Sequence, residues 1–321
     1  MSCAPRLLLR LALGAAATGC GGVALEELPT EPLAFVRQEE SEGIASLDEF
    51  MDAVQAQRWD EEERAPGRPP RTSVMLLEPT TRNMKSVPDA GHGSLPLDWS
   101  QDGHFLLIGR RTQYAGHLQL FSWNRLTGAF DRLNPDRTEG AAAFAGGPIR
   151  LVSVGRVMSQ GASRPGLLLT VEDRGTGPLR DGIDGTEPDI APDGLSFVFV
   201  RRSGRRPDGT ILAFRLGDEE SRPLARGRTP RFSRDGRWIV YVTHRKGNAD
   251  IWLMRANGSG KRPITRSSFD EIFPAVSPDG RYVVYASARG DEEESQLYVT
   301  RVRDQVERQI TQSGQNGRPV W

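Results

Sequence analysis

Three observations together predict an all-β fold, a six-bladed β-propeller of four-stranded blades. A turn-and-strand unit recurs along the chain, the two chain ends look like complementary parts of one further unit, and the composition is rich in turn residues and balanced in charge. The turns end in Gly103, Gly147, Gly194, Gly236 and Gly280, spaced by 44, 47, 42 and 44 residues, the period of one blade. With 35 glycines, 22 prolines and 42 basic against 42 acidic residues, the chain suits a turn-rich β protein. It lacks the strongly basic stripe that a nucleic-acid footprint requires, so no nucleic-acid partner is expected.

Each repeat reads in the same order. One bulky apolar residue (Trp99, Phe144, Ile190, Phe232 or Val276) precedes a turn such as Ser277-Pro278-Asp279-Gly280. Proline suits the second position of that turn, aspartate bonds its own backbone, and glycine accepts the positive φ, so the recurring Asp-Gly pair is read as turn chemistry. An apolar second strand follows, then a polar loop, a third strand such as DIWLMRA (250–256), and a fourth ending in RPLA, RPIT or RQIT. The bulky residue ahead of the turn falls on the innermost strand, where it can pack between neighbouring blades.

Five such blades account for residues 97–311, and the ends supply the sixth. Arg318-Pro319-Val320-Trp321 matches an inner strand, with Trp321 at the Trp99 position. Segments 33–37, 72–78 and 83–87 read as the other three strands. One C-terminal and three N-terminal strands then close the ring and remove its open edges. The propeller thus spans 32–321, interrupted at 39–70 by an insertion. There Ser46-Leu47-Asp48-Glu49 forms a capping box, and Leu47, Phe50, Met51 and Val54 share one helical face.

The first residues obey other rules. A basic start, an apolar stretch from Leu7 to Thr18 and small residues ahead of Cys20 resemble a bacterial lipoprotein signal peptide over 1–19, with 20–31 as a tether. The apolar stretch is too short to span a bilayer, which takes about 20 such residues. The resemblance implies acylation of the Cys20 thiol, a membrane contact through that lipid, and an outer-membrane anchor facing the periplasm. Cys3 would leave with the signal peptide, so the mature domain would hold no free thiol and no disulfide.

The runs PRFSRDGRWIVYVTHRKGNADIWLMRANGSGKRPIT and FPAVSPDGRYVVYASARG resemble the repeats of the TolB-type, WD40-like family of bacterial β-propellers. The resemblance covers about 32–321 and is strongest from 188 onward. It implies a six-bladed ring around a channel lined by inner strands, with protein binding as its commonest use. The α/β domain that precedes the TolB propeller has no counterpart in these residues, so the particular partners of TolB are not carried over.

No residue pattern amounts to a catalytic constellation. There is no G-x-S-x-G elbow, the spacing of His92, His104, His117 and His244 fits no zinc pattern, and Gly258-Ser259-Gly260-Lys261 lacks the Ser or Thr that a phosphate loop needs. No cofactor and no metal site is expected. The variable loops between second and third strands should emerge on one face. There a basic sector (Arg201, Arg202, Arg205, Arg206, Arg245, Lys246) beside an acidic one (Asp291, Glu292, Glu293, Glu294), with His244 and Arg289 in the same loops, would steer an envelope protein partner. The expected function is a non-enzymatic, monomeric scaffold. The alternatives are a carbohydrate-active lyase or hydrolase, or a glycan-binding module, using the central channel.

Overall fold

The computed structural model describes residues 22–38, 72–111, 118–133, 141–144, 151–157, 166–171, 185–202, 208–245, 247–289 and 294–321. The expected helix within 39–70, the signal peptide with Cys20, and the turn at Gly147 lie outside them.

The described residues are almost wholly β. After a single 3-10 turn at Leu25–Glu27, the strands run β1 (Leu33–Gln38), β2 (Thr72–Leu77) and β3 (Met84–Ser86). A second group follows as β4 (Ser94–Trp99), β5 (Phe105–Arg111), β6 (Leu118–Asn124) and β7 (Phe130–Arg132). Next come β8 (Ala141–Phe144), β9 (Leu151–Val157) and β10 (Gly166–Val171). The chain continues through β11 (Thr186–Ile190), β12 (Ser196–Arg201), β13 (Gly209–Arg215) and the long β14 (Arg222–Phe232). Then follow β15 (Trp238–Arg245), β16 (Asn248–Arg255) and β17 (Arg262–Pro263). The last are β18 (Glu271–Val276), β19 (Tyr282–Ser287), β20 (Gln296–Arg301), β21 (Glu307–Gln309) and β22 (Gln315–Val320).

Consecutive strands pair antiparallel into sheets β4 to β7, β8 to β10 and β18 to β21. β14 is long enough to serve two sheets. Its first half pairs with β13 through Ala213↔Arg222, and its second half pairs with β15 through Phe232↔Ile239. The remaining sheet is ordered β22-β1-β2-β3, so the C-terminal strand is hydrogen-bonded to the N-terminal one, with Ala34 opposite Val320. The inner strands touch in the cyclic order β4, β8, β11, β14, β18, β22 and back to β4.

The strands are rich in β-branched and aromatic residues because each sheet buries both faces against its neighbours. β19, YVVYAS, is buried at every position. Val240, Val242 and Ile251 of one sheet pack with Val283 and Tyr285 of the next, and Val198, Val200 and Ile211 pack with Ile239 and Tyr241. The core is therefore a series of layers between sheets rather than one central mass.

The turns follow the expected chemistry. Gly103, Gly194, Gly236 and Gly280 have φ of 71°, 64°, 69° and 71°. Asp102, Asp235 and Asp279 each accept from the backbone N–H two residues on, at 3.0, 2.9 and 2.9 Å, and the serine hydroxyl two residues earlier donates to the same oxygen.

One expectation is corrected. Residues 22–31, read as part of a tether, are docked on the sheets. Val23 and Leu28 are buried in the layer that holds Leu33, Phe35 and Tyr282. The Tyr282 hydroxyl donates to the Glu27 carbonyl at 2.9 Å, and Arg301 pairs with Glu27. The spaced apolar residues Val23, Leu25 and Leu28 supply the burial that a flexible linker lacks.

Candidate functional site

The inner strands meet around a cavity of about 60 Å³ on the turn side. Trp99, Phe144, Ile190, Phe232, Val276 and Trp321 all line it, so the structure brings together every bulky residue singled out ahead of the turns. Trp321 is buried, and its indole N–H donates to the Glu31 carbonyl at 3.1 Å.

Above this apolar collar lies a charged tier: Asp98 on β4, Asp189 on β11 and Arg231 on β14. The two acids join consecutive sheets. Asp98 accepts from the Phe144 N–H at 3.0 Å, and Asp189 accepts from the Phe232 N–H at 2.7 Å. One step further from the turns, Glu187 accepts from the Thr229 N–H in the same sense. Each acid therefore satisfies a backbone donor of the next inner strand. Arg231 donates to Asp189 at 2.9 Å, and its other terminal nitrogen extends to the Leu97 carbonyl on β4, 3.5 Å away. Its side chain thus bridges strands far apart in the cyclic order.

This tier rests on a bulge that recurs in the inner strands. Pairing slips between Thr186 and Asp189, between Arg228 and Arg231, and between Ile272 and Ala275. Glu187, Thr229, Phe273 and Arg318, each followed by proline, have φ of 52°, 46°, 53° and 45°. Proline cannot donate to a ladder and is confined to edges and bulges, so the recurring Xaa-Pro pair is the signal in the sequence for these bulges.

Burial, reinforced by the charge of Asp189, raises the Asp98 carboxyl to about 7, against the opposing pull of the Phe144 N–H, Arg231 and Arg234. Burial also raises Asp189, and Arg231 opposes it. A carboxyl whose folded pKa is raised contributes stability that is fully present below its unfolded value near 4 and lost as pH rises through about 7. The melting temperature is therefore expected to fall between about pH 4 and pH 7 and to level off above that. In Asp98→Asn this part of the slope should disappear even if the overall stability is lower. An unchanged slope in the variant would remove Asp98 as its source.

The loop residues singled out from the sequence have structural partners. Arg202 donates to the buried Glu187 at 2.6 Å, and Arg289 reaches the buried Glu271 at 3.4 Å while stacking 3.9 Å from the Tyr298 ring and pairing with Glu307. Both clip the end of a second strand to the start of their own inner strand. Arg37 does the same through Asn316 and the Ser313 carbonyl, as does Arg110 through the Ala90 carbonyl. His244 Nδ1 lies 2.8 Å from Asp208, whose carboxylate also accepts from the His244 N–H and the Thr243 hydroxyl. Burial pushes the Asp208 carboxyl up, but these hydrogen bonds hold it below its ordinary value. Arg245 is exposed and lies 5.0 Å over the Trp252 ring, and Arg201 is exposed at the end of β12. Arg205, Arg206, Lys246, Asp291, Glu292 and Glu293 lie outside the described residues. Among the described residues no three His, Cys, Asp or Glu side chains gather as a metal site, and no helix is long and apolar enough to cross a membrane.

Radially packed four-stranded sheets around inner strands define a β-propeller. No protein-family model matches the chain. A TolB of the Tol-Pal system from Anaeromyxobacter dehalogenans is 32% identical over 90 residues, covering 27% of this chain and 20% of the relative. The fold matches a TolB from Acinetobacter baumannii with a TM-score of 0.63 at 18% identity, over 91% of this chain and 66% of that one. It also matches a protein of Agrobacterium tumefaciens assigned to TolB, with a TM-score of 0.59 at 21% identity, over 77% and 91%. The repeats are similar to those of TolB β-propellers, and the fold is that of the same propellers. The chain spans about a third or less of the first curated relatives that it matches, 35%, 23% and 20% of their lengths.

Proposed function

We propose that the chain is a non-enzymatic protein of the cell envelope that presents a closed, six-bladed TolB-like propeller as a scaffold for binding another protein. The six-bladed reading is supported by the six inner strands in cyclic contact and by the pairing of β22 with β1. The envelope reading rests on the likeness to a Tol-Pal system protein and on the lipoprotein-like start, with Cys20 as the acylated residue and the outer membrane as the anchor. As a single chain supplies both closing strands, the working form is a monomer.

One observation carries the scaffold reading. The channel acids Asp98, Asp189 and Glu187 are engaged in holding the next inner strand, which leaves them poorly placed as general acids, bases or ligands for a sugar. The surfaces that vary from blade to blade are the loops between second and third strands. Because Arg202 and Arg289 serve as clips, the partner-steering charge on that face falls to Arg205, Arg206 and Arg245.

The Cys20→Ser form, free of lipid, serves as bait for capture from an envelope extract. With the captured partner, Arg205→Glu with Arg206→Glu should slow association several-fold at low salt while leaving the melting temperature unchanged, since rim charges act on encounter rate. Added salt should slow the parent more than the variant. Equal association rates and equal salt slopes would take the basic loop out of the interface.

A further inference from the structure

Residues 22–31 cross one end of the sheet β18 to β21 and are pinned along their length. Gly22 lies against β21, where a Cβ would sit 3.7 Å from the Glu307 carbonyl oxygen. Val23 and Leu28 are buried, Glu27 is held by the Tyr282 hydroxyl and by Arg301, and the Glu31 carbonyl accepts from the Trp321 indole. The register sets Tyr282, Arg301 and Glu307 at the same end of the sheet, since Tyr282 pairs with Arg301 and the adjoining Thr300 with Glu307. That is the end of the Asp279-Gly280 turn. The loop between second and third strands leaves from the other end, where Ser287 pairs with Gln296. The length of β19, about 17 Å, separates the two ends. Cys20 precedes Gly22 by two residues, which span at most about 7 Å when fully extended.

We propose that the turn end of this sheet is held against the bilayer by the chain's own lipid, so that the long-loop face points away from the membrane. The inference rests on the acylation of Cys20. An anchor that reaches about 7 Å beyond the docked segment cannot pass around a sheet about 17 Å tall, so the domain cannot turn over while the lipid stays inserted. Arg281 is paired with Asp279, and Arg301 with Glu27 and Asp304, so these arginines are not free to hold anionic headgroups. Tether length rather than charge therefore sets the orientation. The bilayer occupies the turn side, and the loops proposed to take a protein partner stay open to it.

The test uses the acylated full-length product, purified and reconstituted into phosphatidylcholine vesicles that carry a nitroxide on the lipid headgroup. With Cys20 blocked by lipid and Cys3 removed, one added cysteine is the sole thiol for a fluorophore. Arg303→Cys lies in the exposed turn between β20 and β21, and Ser268→Cys in the exposed segment that leads into β18 at the long-loop end. The label at 303 should be quenched several-fold more than the label at 268, equally at low and high salt. Ten Gly and Ser residues inserted between Gly21 and Gly22 leave the docked segment intact but extend the tether to about 20 Å, and should bring the two positions to similar, weak quenching. Protein whose N-terminal peptide carries no acyl mass and which fails to float with the vesicles would overturn the Cys20 reading and the orientation with it. Acylated, vesicle-bound protein with equal quenching at both positions, or with a difference that the insertion leaves intact or that salt abolishes, would overturn the orientation alone.

Discussion

Trp321→Ala is expected to lower stability by about 3 to 5 kcal/mol, the range for removing a buried large aromatic. Terminal residues are ordinarily dispensable unless they are tied down. Here the last residue is 5% exposed, packs in the layer with Leu97, Phe144 and Phe273, and donates its indole N–H to the Glu31 carbonyl. It also follows β22, whose pairing with β1 joins the two chain ends. At roughly 2 °C per kcal/mol for a domain of this size, the melting temperature should fall by about 6 to 10 °C. Removing Arg318 to Trp321 should cost more, because β1 then loses its Val320 pairing. A fall of less than about 2 °C for the single substitution would mean that the indole contributes no more than an ordinary exposed side chain.

The second large effect is expected at Asp189. Asp189→Ala removes the acceptor of both the Phe232 N–H and Arg231, and leaves Arg231 enclosed with Arg318 and without its acid. Breaking one side of a buried pair costs about 3 to 5 kcal/mol, mainly through the charge left behind. The double variant Asp189→Ala with Arg231→Met should recover much of that loss, since it removes the stranded cation as well. Denaturant unfolding of Asp189→Ala, Arg231→Met and the double variant measures the difference. If the double variant were as unstable as the sum of the two single ones, the pair would not be acting as a unit.

Much of the fold was legible in the sequence because its determinants are local and repeated. Gly103, Gly194, Gly236 and Gly280 each need a left-handed backbone, and one turn chemistry written four times states both the period and the position of the second strand. Closure was legible as well, since Trp321 repeats the position of Trp99, and the two residues meet at the same cavity. The site was less so. The inter-sheet bonds of Asp98, Asp189 and Glu187 join residues more than forty positions apart, and each acid standing alone in a strand is indistinguishable from a solvated surface residue. The same ambiguity made Arg202 and Arg289 read as free loop charge, when Glu187 and Glu271 await them beneath the loop. The docking of residues 22–31 depends on the apolar layer that Tyr282 and Leu33 build, and that layer exists only once the ends have met.

Closure by the two chain ends is the claim on which the rest depends, and amide hydrogen exchange tests it most directly. If β22 completes the ring, the amides of Gln315–Val320 that face β1 should exchange as slowly as those of the buried β19, through opening of the whole domain. If β22 instead exchanges within seconds like a frayed terminus while β19 stays protected, the ring is not closed by this strand.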